Sequence, residues 1–178
     1  MQARFCTACG GPLEPREVEG RLRGICTQCD QVSYENPVPA AAVIVCREVG
    51  GKREILLGRR AIDPYLGEWG LPAGYQEIDE TIETTAVREA REETGLIILL
   101  TGLHDVMTTR DDPRKPSILV VFEGAVVDGE MEPGDDCDEV GFFSLDDLPE
   151  RLAFRNNRII LERLRKREIR PWPVNPNP

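Results

Sequence analysis

Apolar residues in this chain fall into short runs that glycines and prolines separate. Residues 40–46 are apolar and partly β-branched, and a second run at 53–59 follows the pair Gly50-Gly51. Two such runs on either side of a glycine turn predict a β-hairpin. Runs at 118–127 and 140–143 predict two further strands.

Two other segments, 80–94 and 156–168, have the spacing of helices. Apolar residues four apart give the first helix one buried face: Ile82, Ala86 and Ala90. Asp79 or Glu80 is expected to cap the start of this helix, and Gly95 its end. Strands with helices on both faces indicate an α/β fold, an α/β/α sandwich around a mixed sheet.

The charge balance restricts the partners of the chain. Its 32 acidic and 22 basic residues leave a formal net charge of −10, which argues against general nucleic-acid binding. The longest apolar run, residues 40–46, is too short to cross a bilayer, and the first residues lack the apolar core of a signal peptide. We therefore expect a cytoplasmic protein that acts on a small molecule, with no nucleic-acid and no membrane partner.

Four of the six cysteines form two Cys-x-x-Cys pairs, the pattern of a tetrahedral Zn²⁺ site. The pairs are Cys6 with Cys9 and Cys26 with Cys29, and 16 residues lie between them. Two disulfides are the alternative, although disulfides belong mainly to exported proteins. Two cysteines remain outside the pairs. One of these is expected in the core and the other at the surface or in a loop: Cys46 and Cys137, respectively.

The chain is expected to divide near Asn36-Pro37-Val38-Pro39, where two prolines form a stiff joint. Residues 1–37 are too few to fold around an apolar core of their own, and they would depend on the metal. We interpret this segment as a small zinc ribbon, and residues 38–178 as the domain that carries the α/β fold.

Three glutamates on the first predicted helix point to a second metal site. Glu89, Glu92 and Glu93 stand at i, i+3 and i+4, so their carboxylates share one face, and Arg88 lies four residues before Glu92. Like charges this close repel each other, and a hard cation such as Mg²⁺ relieves the repulsion. A solvated helix striped with salt bridges is the alternative explanation of the same pattern.

The full spacing around this helix resembles the box of the Nudix hydrolases over 23 residues. The fixed positions are Gly74, Glu80, Arg88-Glu89-Ala90, Glu92-Glu93 and Gly95-Leu96. Position 90 is alanine where the family usually has a larger aliphatic residue. The segments 69–74 and 139–149 also resemble the family. The resemblance therefore covers roughly residues 38–170 and implies the Nudix α/β/α sandwich.

This resemblance implies a set of metal ligands and a set of residues that orient them. The carbonyl of Ala73 and the carboxylates of Glu89 and Glu93 would hold Mg²⁺ or Mn²⁺, and Glu92 would bridge a second or third ion. Glu80 and Arg88 would orient these ligands, and the general base would be a metal-site glutamate or Glu139. Residues 74–96 hold seven acids and two arginines, so an anionic substrate would need the metal to enter.

A zinc ribbon joined to this box resembles two groups of dinucleotide hydrolases. The NADH pyrophosphatases carry a Ser-Gln-Pro-Trp-Pro-Phe-Pro signature after the box, which this chain lacks there. Plant FAD and ADP-ribose pyrophosphatases match more closely, at residues 5–6, 23–27, 71–75 and 152–154. The resemblance implies Mg²⁺-dependent hydrolysis of FAD or ADP-ribose to AMP, by a homodimer. The alternatives are an NADH pyrophosphatase and a sensor without activity whose ribbon binds nucleic acid. The net charge of −1 in residues 1–37 argues against nucleic-acid binding by the ribbon.

Candidate substrate contacts lie close to the box. Arg59 and Arg60 end a predicted strand, and one of them is expected to face the phosphates of the substrate. The alternative is that both are ordinary charged residues at the surface. Four rings have the area to stack on adenine or flavin, with packing as the alternative for each: Tyr34, Tyr65, Tyr75 and Phe154. Tyr75 lies within the box and is the substrate-binding candidate among them. His104, the only histidine, is expected at the surface or at a strand end.

Overall fold

A computed structural model describes residues 4–111 and 115–166 of the chain. The chain forms two compact units, Met1–Pro37 and Val38–Pro178. The smaller unit is an antiparallel sheet of three strands: β1 (Leu13–Val18), β2 (Arg21–Cys26) and β3 (Val32–Ser33). Among its described residues, only three are buried: Cys6, Gly11 and Cys26. With so little apolar area removed from water, this unit depends on its cysteine cluster.

The larger unit is built on a mixed sheet with the strand order β10-β5-β4-β9-β8. Its long strands are β4 (Val38–Val49), β5 (Lys52–Arg60), β8 (Leu96–Thr109), β9 (Ser117–Gly129) and β10 (Cys137–Ser144). β4 and β9 run parallel, and the other neighbours run antiparallel. Two short strands join the sheet, β6 (Trp69–Gly70) beside β5 and β7 (Ala73–Tyr75) beside β4.

The predicted hairpin is confirmed, and its strands diverge away from the turn. Gly50 and Gly51, both with positive φ, join β4 to β5. These strands pair only next to the turn, from Cys46 to Val49 on β4. Farther along, β7 takes the place of β5 beside β4, and β6 pairs with β5. The sheet is therefore split at this end, and a cavity opens in the split.

One helix covers each face of the sheet, which confirms the predicted α/β/α arrangement. On one face, α2 (Arg155–Arg165) packs on alternate residues of β4 and β5, and on the other face α1 (Ile82–Thr94) packs on the residues between them. The first core includes Ile160, Leu161 and Leu164 with Ala42, Ile44, Ile55 and Leu57. The second core includes Ala86 and Ala90 with Ala41, Val43, Val45 and Leu56.

The start of α1 differs from the prediction, and its end agrees with it. Thr81 caps the start, because its hydroxyl accepts a hydrogen bond from the Thr84 N–H at 3.2 Å. Asp79 and Glu80 do not cap the helix. The Glu80 carboxylate instead pairs with an arginine of the same helix. Gly95 ends the helix in the left-handed conformation, as predicted.

The second helix begins one residue before its predicted start. The N–H of Arg155 donates to Asp111 Oδ2 at 2.7 Å, so a side chain from the loop after β8 caps it. The helix ends at Arg165, and the last two residues of the predicted range 156–168 lie outside the described part of the chain. Neither α1 nor α2, the helices within the described ranges, combines the length and apolarity needed to cross a bilayer.

The strand β8 was not predicted. It follows α1 after a single glycine, and three irregularities in its register with β9 interrupt the alternation by which a strand is recognised. β8 carries His104 to a buried position, which corrects the surface or strand-end position expected for this residue. Its Nδ1 atom lies 2.9 Å from a carboxylate oxygen of Glu123 on β9.

Candidate active site

The larger unit contains a cavity of about 730 Å³ at the split between β4 and β5. Six acidic residues line it: Asp63, Glu77, Glu89, Glu93, Asp135 and Asp136. Three basic residues also line it: Arg60, Arg88 and Lys115. A volume of this size lies within the range of pockets that hold small-molecule ligands.

Gly74 lets the loop before α1 approach this helix closely. A Cβ atom at position 74 would lie 2.0 Å from Glu89 Oε1, so glycine alone leaves room for the carboxylate. One residue earlier, the Ala73 N–H donates to Glu93 Oε2 at 3.1 Å. Two glutamates one turn apart thus meet the same loop, with only 8% and 6% of their surfaces exposed.

Arg88 connects the glutamates of the helix through charge-assisted hydrogen bonds. Its Nε and Nη2 atoms donate to the Glu80 carboxylate at 2.5 and 3.0 Å. Its Nη1 atom donates to both Glu89 and Glu92 at 2.8 Å. Nη2 also donates to the carbonyl of Tyr75 at 3.1 Å, which ties the helix to β7. Arg88 therefore sets the orientation of three carboxylates.

Burial and neighbouring charge separate the pKa values of these carboxyl groups. Burial raises the pKa of Glu93 to about 8, and it also raises the pKa of Glu89. Hydrogen bonds from Arg88 lower the pKa of Glu80 to about 2. Two buried carboxyl groups that resist ionisation fit a cation site, because a bound positive charge favours their ionised form.

Asp135 adds a carboxylate that the sequence analysis missed. One carboxylate oxygen from each of Glu89, Glu92 and Asp135 lies within 4.8 Å of the others, which is close enough for one ion. The loop before β10 brings Asp135 there, where the Gly134 N–H donates to the carbonyl of Glu93 at 3.3 Å. The adjacent acids at 135 and 136 before a predicted strand were the available signal.

Successive side chains of β5 point to opposite sides, which separates Arg59 from Arg60. Arg60 lines the cavity, and its Nε donates to the carbonyl of Pro64 at 2.7 Å. Arg59 is not among the described residues that line the cavity. Its guanidinium pairs with Asp138 and Glu139, each at 2.7 Å. The structure thus brings Arg60 to the cavity and leaves Arg59 and Glu139 outside it.

Two of the four candidate rings, Tyr75 and Phe154, line the cavity. Phe154 packs against Tyr65 with 4.7 Å between the ring centres, and the guanidinium of Arg60 lies 5.1 Å from the Phe154 ring. Tyr34 belongs to the smaller unit. The rings that the sequence grouped together therefore divide between the two units.

Cys137 is buried and lines the cavity, which corrects the surface or loop position expected for it. Burial raises the pKa of its thiol to about 12, so the thiol stays protonated at neutral pH. A Cβ atom at Gly58 would lie 2.7 Å from its sulfur, so Gly58 leaves room for this side chain. Cys46 is half-buried against the core, in agreement with the prediction.

The smaller unit brings its paired cysteines together. Their four sulfur atoms lie within 4.8 Å of one another: Cys6, Cys9, Cys26 and Cys29. All four thiols are free, which fits a metal site rather than two disulfides. The N–H of Ala8 donates to the Cys6 sulfur and the N–H of Gln28 to the Cys26 sulfur, both at 3.4 Å. These bonds lower the pKa of both cysteines and favour the thiolate form that binds metal.

Known proteins share both parts of this arrangement. Residues 36–164 match the NUDIX domain family, and residues 4–35 match the Nudix N-terminal zinc ribbon. The ADP-ribose pyrophosphatase of Methanocaldococcus jannaschii is 43% identical over 128 residues, which are 71% of this chain and 74% of that protein.

Two further relatives cover more of this chain. The NAD-capped RNA hydrolase NudC of Pseudomonas aeruginosa is 31% identical over 156 residues, which are 86% of this chain and 52% of that protein. This chain therefore spans about half the length of that relative. The crystal structure of a NUDIX hydrolase from Nitrosomonas europaea superposes with a TM-score of 0.81 at 32% identity, over 92% of this chain and 91% of that one.

Proposed function

The chain belongs to the Nudix hydrolases, enzymes that act on phosphorus anhydrides, and we propose that it hydrolyses the diphosphate linkage of ADP-ribose or FAD. The products are AMP and either ribose 5-phosphate or FMN. One observation carries the proposal: the buried carboxylates of Glu89 and Glu93 line the same cavity as the basic side chains of Arg60 and Lys115. Similarity to an ADP-ribose pyrophosphatase supports the choice of substrate.

We assign the catalytic cation, Mg²⁺ or Mn²⁺, to the carboxylate cluster of α1. Its ligands are the carboxylates of Glu89, Glu92 and Glu93 with the carbonyl of Ala73, and Asp135 is a further ligand. Carboxylate oxygens close to one another and partly withdrawn from water fit a hard divalent ion. When bound, such an ion neutralises the diphosphate, polarises the phosphorus and acidifies an attacking water.

The protein's own residues position the reactants. Arg88 holds three carboxylates in a fixed orientation, and Glu80 holds Arg88. Arg60 binds the diphosphate from the β5 side of the cavity, and Tyr75 contributes to the substrate site from β7. We assign the general base to the carboxylate cluster rather than to Glu139, because Glu139 pairs with Arg59 outside the cavity lining.

We assign a structural Zn²⁺ to the four cysteines of the smaller unit. Four thiolates complete a tetrahedral site and leave no position for a substrate or a water molecule. The free thiols and the match to a zinc-ribbon family support this assignment. The ion takes the place of the apolar core that this unit lacks.

Hydrolysis of NADH or of a related dinucleotide is the second candidate function. The similarity to an NAD-capped RNA hydrolase favours it, although this chain spans about half of that protein. A sensor without activity is disfavoured, because all four glutamates at the fixed positions of the box are present, and Glu89 and Glu93 among them are buried.

We also propose that the enzyme is a homodimer. β8 is an edge strand of the sheet, and it exposes the apolar side chains of Ile97 and Leu99, while β9 exposes Val126 and Val127. Apolar side chains along an unpaired edge favour association with a second copy. Light scattering at several protein concentrations measures the mass, and a monomer at all of them contradicts this assignment.

Steady-state kinetics on a substrate panel tests the proposed function. The panel contains ADP-ribose, FAD, NADH, coenzyme A, dinucleoside polyphosphates and nucleoside triphosphates, each with and without Mg²⁺ or Mn²⁺. We expect the highest kcat/KM on ADP-ribose or FAD, with no turnover after the cation is removed by a chelator. Turnover that does not depend on a divalent cation contradicts the assignment of the carboxylate cluster.

A further inference from the structure

One amide group in the cavity wall has no hydrogen-bonding partner in the described part of the chain. Asn156 has only 9% of its surface exposed and lines the cavity. Within the described residues, its side chain forms no hydrogen bond. The amide atoms are not sealed off from the cavity, because among the described residues the fully enclosed side-chain polar atom without a partner is Arg23 Nε. An amide left unpaired in a cavity wall is therefore suited to a ligand.

The neighbouring asparagine shows the contrast. Asn157 is also buried, but its Nδ2 donates to the carbonyl of Ala153 at 3.0 Å. A Cβ atom at Gly70 would lie 2.8 Å from that nitrogen, so Asn157 is packed tightly between its helix and β6. Asn157, which also lines the cavity, thus uses one amide donor for the fold, whereas both ends of the Asn156 amide remain for a bound molecule.

The backbone before Asn156 places an aromatic ring at the same cavity. Phe154 has a φ of 55°, a conformation that bulky side chains rarely adopt. Its ring lines the cavity and is supported by Tyr65 at 4.7 Å between ring centres. A supported ring and a free amide in the wall of one cavity combine a surface for stacking with a polar group that can distinguish the edge of the stacked base.

The chemistry of the amide selects one class of base. The carbonyl oxygen of an asparagine side chain can accept from the amino group of adenine, while its NH2 group donates to N7. Hypoxanthine presents two acceptors along this edge, so it can satisfy the donor of the amide but not its acceptor. Every favoured substrate, ADP-ribose, FAD and NADH, contains an adenine.

We propose that Phe154 and Asn156 form the adenine subsite and that Asn156 makes the enzyme selective for adenine dinucleotides. This inference rests on the proposed function, since it locates the base of the substrate that binds in the same cavity. Asn156 acts here as a specificity-determining residue. It contacts the base, whereas the carboxylate cluster acts at the reacting phosphorus.

Two measurements on the full-length holoenzyme test the subsite. The first is the affinity for AMP and for IMP by calorimetry, which does not require turnover. The second is kcat/KM for ADP-ribose and for its hypoxanthine analogue. The variants are Asn156→Ala and the isosteric Asn156→Asp, which removes the donor. Glu162→Gln, an exposed change on the same helix, is the matched control.

We expect the wild type and the control to favour adenine about tenfold or more in both measurements. Asn156→Ala should lower this ratio to near one by raising KM for ADP-ribose, with kcat changed less than about threefold. Asn156→Asp should also raise KM for ADP-ribose but should still favour adenine, because it keeps the acceptor for the amino group and loses only the donor to N7. An unchanged ratio in Asn156→Ala overturns the inference, as does an equal loss of affinity for AMP and IMP. Selective binding of AMP without turnover of any dinucleotide would leave the subsite standing and refute the proposed function.

Discussion

Gly74→Ala should inactivate the enzyme while leaving its fold almost unchanged. The added methyl carbon would lie 2.0 Å from Glu89 Oε1, and an ordinary contact begins at 3.4 Å, so the oxygen must move by about 1.4 Å. The carboxylate is the far end of a flexible side chain, so this movement costs little stability. It does displace a proposed metal ligand, and a misplacement of about 1 Å near the reacting atoms can reduce the rate roughly 100-fold.

The assay is kcat/KM on ADP-ribose with Mg²⁺, together with the melting temperature of the same preparation. Gly102→Ala is the matched control, because a Cβ atom at Gly102 meets no atom within 4 Å and the residue also lies in the larger unit. We expect a loss of about 100-fold for Gly74→Ala and less than about threefold for Gly102→Ala, with small changes in melting temperature for both.

A double-mutant cycle separates this explanation from general damage to the site. If Gly74→Ala acts by displacing Glu89, it should cost little further activity in a Glu89→Gln background, because the ligand is already lost. Wild-type activity in Gly74→Ala would refute the reasoning. Full additivity of the two changes would place the damage elsewhere than at the Glu89 carboxylate.

Three further predictions concern the two metal sites. Glu93→Gln should lower kcat by about 100-fold or more and weaken Mg²⁺ binding, whereas Glu83→Gln, exposed on the same helix, should change kcat by less than about threefold. Because the folded pKa of Glu93 is raised to about 8, metal-free protein should lose stability as the pH rises from 5 to 8; a melting temperature that falls equally in Glu93→Gln contradicts this. Purified protein should contain about one Zn²⁺ per chain, and Cys9→Ser should release it; elemental analysis without zinc contradicts the ribbon assignment.

Much of the fold and of the site could be predicted because it depends on local pattern. Three features follow from residues close together in the chain: the turn at Gly50-Gly51, the helix α1 with its glutamates, and the end of this helix at Gly95. The four cysteines are also local, as two pairs of fixed spacing. Such features need only the backbone preferences of glycine and the periodicity of a helix or a strand.

What could not be predicted depends on contacts between distant segments. Asp135 reaches the cluster only because the loop before β10 packs on the end of α1, 42 residues after Glu93 in the chain. Arg59 and Arg60 are adjacent in the sequence. Which of them lines the cavity depends on the face that β5 turns toward it beside β10, a strand from a distant part of the chain. That the amide of Asn156 has no partner within residues 4–111 and 115–166 is visible only when the side chains around it have been placed.

Competition in one reaction mixture tests the central claim most directly. Equal concentrations of ADP-ribose, FAD and NADH are incubated with the enzyme and Mg²⁺, and the products that accompany AMP are separated and quantified at early times. These amounts report the ratios of kcat/KM, since the substrates compete for the same enzyme. We predict that ribose 5-phosphate or FMN forms fastest, and that Glu93→Gln forms neither. Faster release of the reduced nicotinamide mononucleotide by tenfold or more, a difference of about 1.4 kcal/mol in transition-state binding, would contradict the assignment.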